Sequence, residues 1–278
     1  MLILVFLAVV IATQSTPKTS AEPAESADAA WTILKDGLAD KSSDKRAKAT
    51  HALGLLSHNA KAQELAEKAL ADASPDVRVE GAIALGQMDA RSSQRKLEDA
   101  LKDKDLKVVV SAANSLYLFK NPAAYDIYYA LLTGERKGPG LLQSQLDTLK
   151  DKKQMEKLMF EAGIGFVPFG GMGMEAWKTI TRDDNSPIRA AAAEKLATDP
   201  DPATAQALGR ACADSKSSVR EAAVEAIAKR GDPKLLGSVG PLLYDRSDVV
   251  RFEASATIIR LHEKRIRPSG HSEGKRGD

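Results

Sequence analysis

Cysteine occurs once in this chain, at Cys212, and histidine only at His51, His58, His262 and His271, far apart in sequence. A disulfide framework needs pairs and a zinc site is recognised by short, regular ligand spacings, so neither can be assembled from these residues. Charge of one sign is lacking too. The 40 Lys and Arg against 38 Asp and Glu leave a net +2, with a pI near 8.5. That balance argues against a polyanion as the main partner, and so against specific nucleic-acid binding. No His-Glu-x-x-His pair occurs, and the carboxylates mostly alternate with Lys or Arg, as in "DKKQMEK", the pattern of a solvated helix face. No catalytic, cofactor-binding or metal-binding residue is assigned on these grounds, and a non-enzyme is expected.

Long hydrophobic runs are also scarce. The one that stands out, MLILVFLAVVIA at residues 1–12, has the length of a signal-peptide core and falls short of the roughly 20 residues that a membrane-spanning helix needs. Residues 1–21 are therefore expected to be a signal peptide, with an uncleaved N-terminal membrane anchor as the alternative. Residues 22–30 follow as a polar, Ala- and Glu-rich linker that cannot bury enough apolar surface to order itself. Export to the periplasm or the extracellular space is the expectation.

What the chain does have is a period. The segments SPDVRVEGAIALG, DLKVVVSAANSL, NSPIRAAAAEKLA, SSVREAAVEAIA and SDVVRFEASATII align on Val77, Val108, Ile188, Val219 and Val250, at steps of 31, 80, 31 and 31. From these anchors small or apolar residues recur at +4, +7 and +8, for example Gly81, Ala84 and Leu85, or Ala223, Ala226 and Ile227, which is one face of a helix. A helix precedes each one and ends in a pair such as Ala69-Leu70, Ala100-Leu101 or Ala211-Cys212. Cys212 thus fills a slot that leucine holds elsewhere and reads as a core residue rather than a reactive thiol. Two short helices with one apolar face each make no core alone, but stacked pairs share a continuous one.

An arginine follows the anchor in most copies, at Arg46, Arg78, Arg189, Arg220 and Arg251, with Val109 as the exception. These arginines are expected to link neighbouring repeats rather than to form a phosphate-binding ladder. The recurring aliphatic-Arg-x-x-Ala-x-x-Ala-Leu pattern resembles HEAT repeats, in particular the short HEAT-like repeats named after the phycobilisome lyases, over residues 31–262. The resemblance implies an all-α fold, a right-handed α-solenoid of stacked antiparallel helix pairs. It carries fold only, because a fold does not name a function.

The step of 80 shows that one central repeat, at about 139–187, is enlarged, and inside it lies EAGIGFVPFGGMGMEAW, residues 161–177. As a phosphate loop this stretch fails, since Gly170 is followed by Gly171 and Met172 where Lys and Ser or Thr are needed. Two readings stand: a re-entrant turn packed between helices, or an apolar groove or patch for a partner. Nine of the 13 aromatic residues fall between 117 and 177, and Tyr125, Tyr128 and Tyr129 share a helix face. Together with Phe166, Phe169 and Trp177 they are the candidate partner-binding residues, against the alternative that an irregular repeat needs larger side chains to fill its core. The basic tail, 263–278, is expected to be disordered.

The expected function is a non-enzymatic binding or scaffold protein of the cell envelope that holds a protein or peptide partner, without a cofactor. A peripheral contact with membrane lipid stays open. The alternative, which the bilin-lyase analogy suggests, is an enzyme or chaperone-like lyase acting on a hydrophobic small molecule at the Gly/Phe-rich insertion.

Overall fold

The computed structural model describes residues 26–133 and 186–266. The expected signal peptide, the enlarged part of the central repeat with Phe166, Phe169 and Trp177, and the tail beyond 266 lie outside the described residues. Among those described, every element is helical. The first block contains α1 (Ala27–Leu38), α2 (Ser43–Leu53), α3 (Ala60–Ala69), α4 (Pro75–Gln87), α5 (Gln94–Ala100), α6 (Leu106–Leu118) and α7 (Ala123–Thr133). The second contains α8 (Ser186–Leu196), α9 (Pro202–Ala211), α10 (Ser217–Arg230), a short α11 (Leu236–Val239) between two 3-10 turns, and α12 (Asp248–Ile266).

The helices that carry the anchors, α2, α4, α6, α8, α10 and α12, stack side by side, and the shorter helices cover the seams between them. Val77, Val108, Val219 and Val250 are buried, as are Gly81, Ala84, Leu85, Ala223, Ala226, Ile227, Ala254, Thr257 and Ile258 on the same register. Ile188 departs from the expectation of a buried anchor: it is 51% exposed. It lies on α8, the first described helix of its block, where no preceding described helix covers it. Cys212 is buried, and burial pushes its thiol up to about 12, so it stays protonated and inert.

The arginines link the repeats. Arg78 donates from Nε and Nη2 to the two carboxylate oxygens of Asp103, at 2.7 and 2.9 Å, and from Nη1 to the Asp72 carbonyl at 2.9 Å. Arg46 grips Asp72, Arg189 grips Asp214 and Arg220 grips Asp245 in the same forked way. Each aspartate belongs to the turn that starts the next anchor helix and also accepts a backbone N–H two residues on, as Asp72 does from Ser74 at 2.8 Å. One carboxylate therefore fixes both the turn and the stacking of the two repeats around it.

A second repeat feature is invisible in composition. His58, Asp89 and Lys120, at steps of 31, take positive φ, and Gly231 takes it at the matching place after α10. Asp89, Lys120 and Gly231 form the left-handed turn that closes α4, α6 and α10, where glycine is the residue that fits without strain, while His58 takes the same place in the longer connection that follows α2.

The array has an order that the chain does not. α12 packs against α1 and α2, so the last anchor helix stacks on the first and α1 covers the seam between them. The stack thus runs α8, α10, α12, α2, α4, α6, with the two chain-terminal blocks meeting where α12 packs on α1 and α2. Gly37 of α1 makes that approach close: a Cβ there would meet the Phe252 ring at 2.4 Å and Ala49 Cβ at 2.9 Å. Arg260 of α12 donates from Nε to the Ala228 carbonyl at 2.8 Å and from Nη1 to the Leu55 carbonyl at 2.9 Å, spanning both blocks. The forked arginine pair does not recur here. Arg251 turns to Asp248 of its own helix, and Asp40, which stands where Asp72 and Asp245 stand in their repeats, takes Lys45 at 3.3 Å.

This junction accounts for two corrections at the element ends. Residues 27–30 are helical rather than linker, because Ser26 caps α1 by accepting from Ala29 N at 3.1 Å and Ala30 is fully buried. Residues 263–266 are helical rather than tail, because α12 continues past the usual turn and Glu263 accepts a hydrogen bond from the Asn59 amide of the first block.

Three outcomes follow from this architecture. Arg78→Ala should cost about 3 kcal/mol in urea unfolding by leaving Asp103 uncompensated, and Arg251→Ala markedly less. Lys120→Gly should stabilise by about 0.5–1 kcal/mol by removing left-handed strain. Acid should unfold the array through the aspartates. The Arg46 hydrogen bond lowers Asp72 and the Arg189 hydrogen bond lowers Asp214; in Asp103 and Asp245 burial opposes the lowering and the arginines outweigh it. Their contribution is complete above the usual carboxylate range and is lost as pH falls through the lowered values, which a pH series of thermal midpoints will show.

Candidate functional site

Register decides which side chains meet at the junction. Five residues after the arginine slot stand His51, Ile83, Asn114, Glu194, Glu225 and Ala256; two residues after it stand Lys48, Glu80, Ser111, Ala191, Ala222 and Glu253. Because α10, α12, α2 and α4 are consecutive in the stack, Glu225, Glu253, His51 and Glu80 come together from four helices. One ligand-capable atom from each of His51, Glu225 and Glu253 lies within 4.8 Å of the others. His51 Nδ1 is 2.8 Å from Glu80 Oε2.

Glu253 is the anomaly in this group. It is 1% exposed, and neither carboxylate oxygen has a hydrogen-bond partner. Burial, then the charges of Glu225 and Glu221, push its pKa well above the usual carboxylate range, so the proton is retained. Glu221 is raised by burial and by Glu225, and Glu194 of α8 likewise. At His51 burial works against the charge, but the hydrogen bond and charge of Glu80, with the charge of Glu225, outweigh this and raise its pKa to about 9. The imidazole is therefore a cation at neutral pH.

A cavity of about 340 Å³ opens over this group, lined by His51, Gln87, Glu225, Lys229 and Arg260 among others. Its polar groups are of both signs. Lys229 approaches Glu225 at 3.6 Å, a long contact for an ion pair, and Arg260 is occupied by the two carbonyls named above.

The tyrosines expected to bind a partner lie elsewhere, at the α6–α7 end. Tyr125 is exposed, while Tyr128 and Tyr129 are half-buried. Tyr117 of α6 meets both Tyr125 and Tyr128 edge-on, with ring centroids 5.8 and 5.7 Å apart. Burial, with Tyr117 nearby, pushes the Tyr128 hydroxyl up to about 12. Tyr128 therefore serves the core in part, whereas Tyr117, Leu118 and Tyr125 present an exposed apolar edge.

The junction group escaped the sequence because its members are up to about 200 residues apart, where no local spacing is diagnostic. The slot itself gave no warning, because it holds Lys48, Glu80 and Ser111 in other copies beside Ala191 and Ala222, so an acid at Glu253 is not out of pattern.

The HEAT-repeat profile matches residues 31–116, 63–137 and 174–258. The chain belongs to the HEAT-repeat family. Among solved structures it is similar to human deoxyhypusine hydroxylase in complex with glycerol, at 17% identity and a TM-score of 0.31, with 84% of this chain and 88% of that one covered. It is also similar to an engineered protein, at 14% identity and a TM-score of 0.27, covering 85% and 97%. Neither likeness is close enough to bring chemistry across. No curated protein sequence matches the chain. Among the described residues, no helix is long and apolar enough to cross a membrane.

The raised groups set a pH dependence opposite to that of the aspartates. The contribution of Glu253 is present below the ordinary glutamate range and that of His51 below about 6.5; both are lost as pH rises through their raised values, about 9 for His51. Thermal midpoints should therefore fall between pH 6 and about 9.5, and Glu253→Gln should flatten that slope.

Proposed function

We propose that this HEAT-repeat protein is an exported, non-enzymatic scaffold of the cell envelope that holds a basic segment of a protein or peptide partner along the outward side of its anchor helices. The observation that carries the reading is the crowding of carboxylates there. Glu194, Glu221 and Glu225 come from two adjacent helices of the stack, and burial, then the charge of Glu225, raises both of the others. Like charges held this close oppose folding, and a cationic partner relieves them. The exposed edge of Tyr117, Leu118 and Tyr125 at the far end of the same stack offers an apolar anchor of the kind that dominates interfaces. Export rests on residues 1–12 and their resemblance to a signal-peptide core.

Fluorescence anisotropy with a labelled Lys/Arg-rich peptide, beside acidic and neutral controls, tests the binding. The basic peptide should bind preferentially and lose affinity with added salt, and Glu194→Gln with Glu221→Gln should weaken it about fivefold, as removal of two rim charges does. Equal binding of all three peptides would refute the reading. Export is tested by fusing residues 1–30 to a reporter active only outside the cytoplasm.

A further inference from the structure

We propose that His51, Glu225 and Glu253 form a binding site for one divalent transition-metal ion of the zinc or manganese class, which ties the first block of the array to the last. The argument is geometric. The three ligand atoms come from α2, α10 and α12, the helices on either side of the junction, and lie within 4.8 Å of one another. Metal–ligand lengths of about 2.0–2.2 Å put ligands roughly 3.4 Å apart in a tetrahedral site, so the side chains need draw in by about an ångström.

Two further observations point to a ligand there. Glu253 is 1% exposed with both oxygens unpartnered, an arrangement that costs free energy in a protein that leaves it empty. His51 is oriented through Nδ1 by Glu80, at 2.8 Å, so that Nε2 faces the ion and gives up its proton on binding, as Glu253 gives up its own, which reproduces the carboxylate–histidine–metal arrangement of built sites. One imidazole with two carboxylates suits zinc or manganese better than magnesium, which takes oxygen ligands and keeps its waters. His51 and Glu225 line the cavity, so water can complete the coordination from that side. Lys229 and Arg260 line it too and oppose the ion; of these, Lys229 contacts Glu225 itself and is displaced on binding.

The site shares Glu225 with the surface proposed for the partner but is defined by the buried Glu253, which a partner held at Glu194 and Glu221 does not need. The test uses the full chain, stripped with a chelator and titrated separately with Zn²⁺, Mn²⁺ and Mg²⁺ by calorimetry and by thermal midpoint. One Zn²⁺ or Mn²⁺ per chain should bind and raise the midpoint, with Mg²⁺ far weaker. Glu253→Gln and Glu225→Gln should each weaken binding at least tenfold, whereas Lys229→Ala should strengthen it several-fold. His58→Ala, His262→Ala and His271→Ala should leave it unchanged. Circular dichroism of Glu225→Gln, whose side chain is partly exposed, guards against reading misfolding as lost ligation. Absence of binding at 100 µM ion (roughly 5.5 kcal/mol in affinity terms), or binding that survives Glu253→Gln, would overturn the assignment.

Discussion

No helix pair in this protein can bury its own apolar face, and each borrows its neighbour to do so. A linear array built on that rule has two ends where the seam is left open. Here the first and last described helices of the chain cover each other: α12 stacks on α2, and α1 closes the seam between them. Buried residues from Ala30 to Leu261 consequently form one continuous core. The polar end caps that such arrays otherwise need are replaced, at this place, by packing.

The cost of that solution is visible in the linkage chemistry. Elsewhere an arginine fork holds each repeat to the next through an aspartate that also shapes the turn. A chain terminus cannot supply the same continuity, and at the junction the partners separate into local pairs, Arg251 with Asp248 and Lys45 with Asp40. Close approach at Gly37 and the two-carbonyl grip of Arg260 take over. An interface held by packing and a few neutral acceptors is the place in the molecule where added coupling between the blocks has most effect. Among the described residues, the group of carboxylates and imidazole that reaches from block to block is found there.

The junction also gathers groups whose ionisation preferences conflict. Glu253 keeps its proton because burial and the charges of Glu225 and Glu221 oppose its own, while Glu80, with Glu225, holds a proton on His51. Such opposed pressures are common where a ligand or partner supplies the missing countercharge. The aspartates of the arginine forks feel the reverse pressure, so the two classes of acid act on stability at opposite ends of the pH scale.

The repeat, its period, the buried anchors and the bland role of Cys212 were legible in the sequence, because they depend on contacts between residues a helical turn or one repeat apart. The interlocking arginines were legible as linkers, though their aspartate partners were not. Ile188 shows the limit of that local logic: its register is right, but burial depends on which neighbour covers it. The boundaries at 27–30 and 263–266 could be drawn only once the helices they belong to had found each other. The meeting of His51 with Glu225 and Glu253 was likewise decided by tertiary structure alone, since periodicity dictates how each repeat stacks on the next but not that the last will stack on the first.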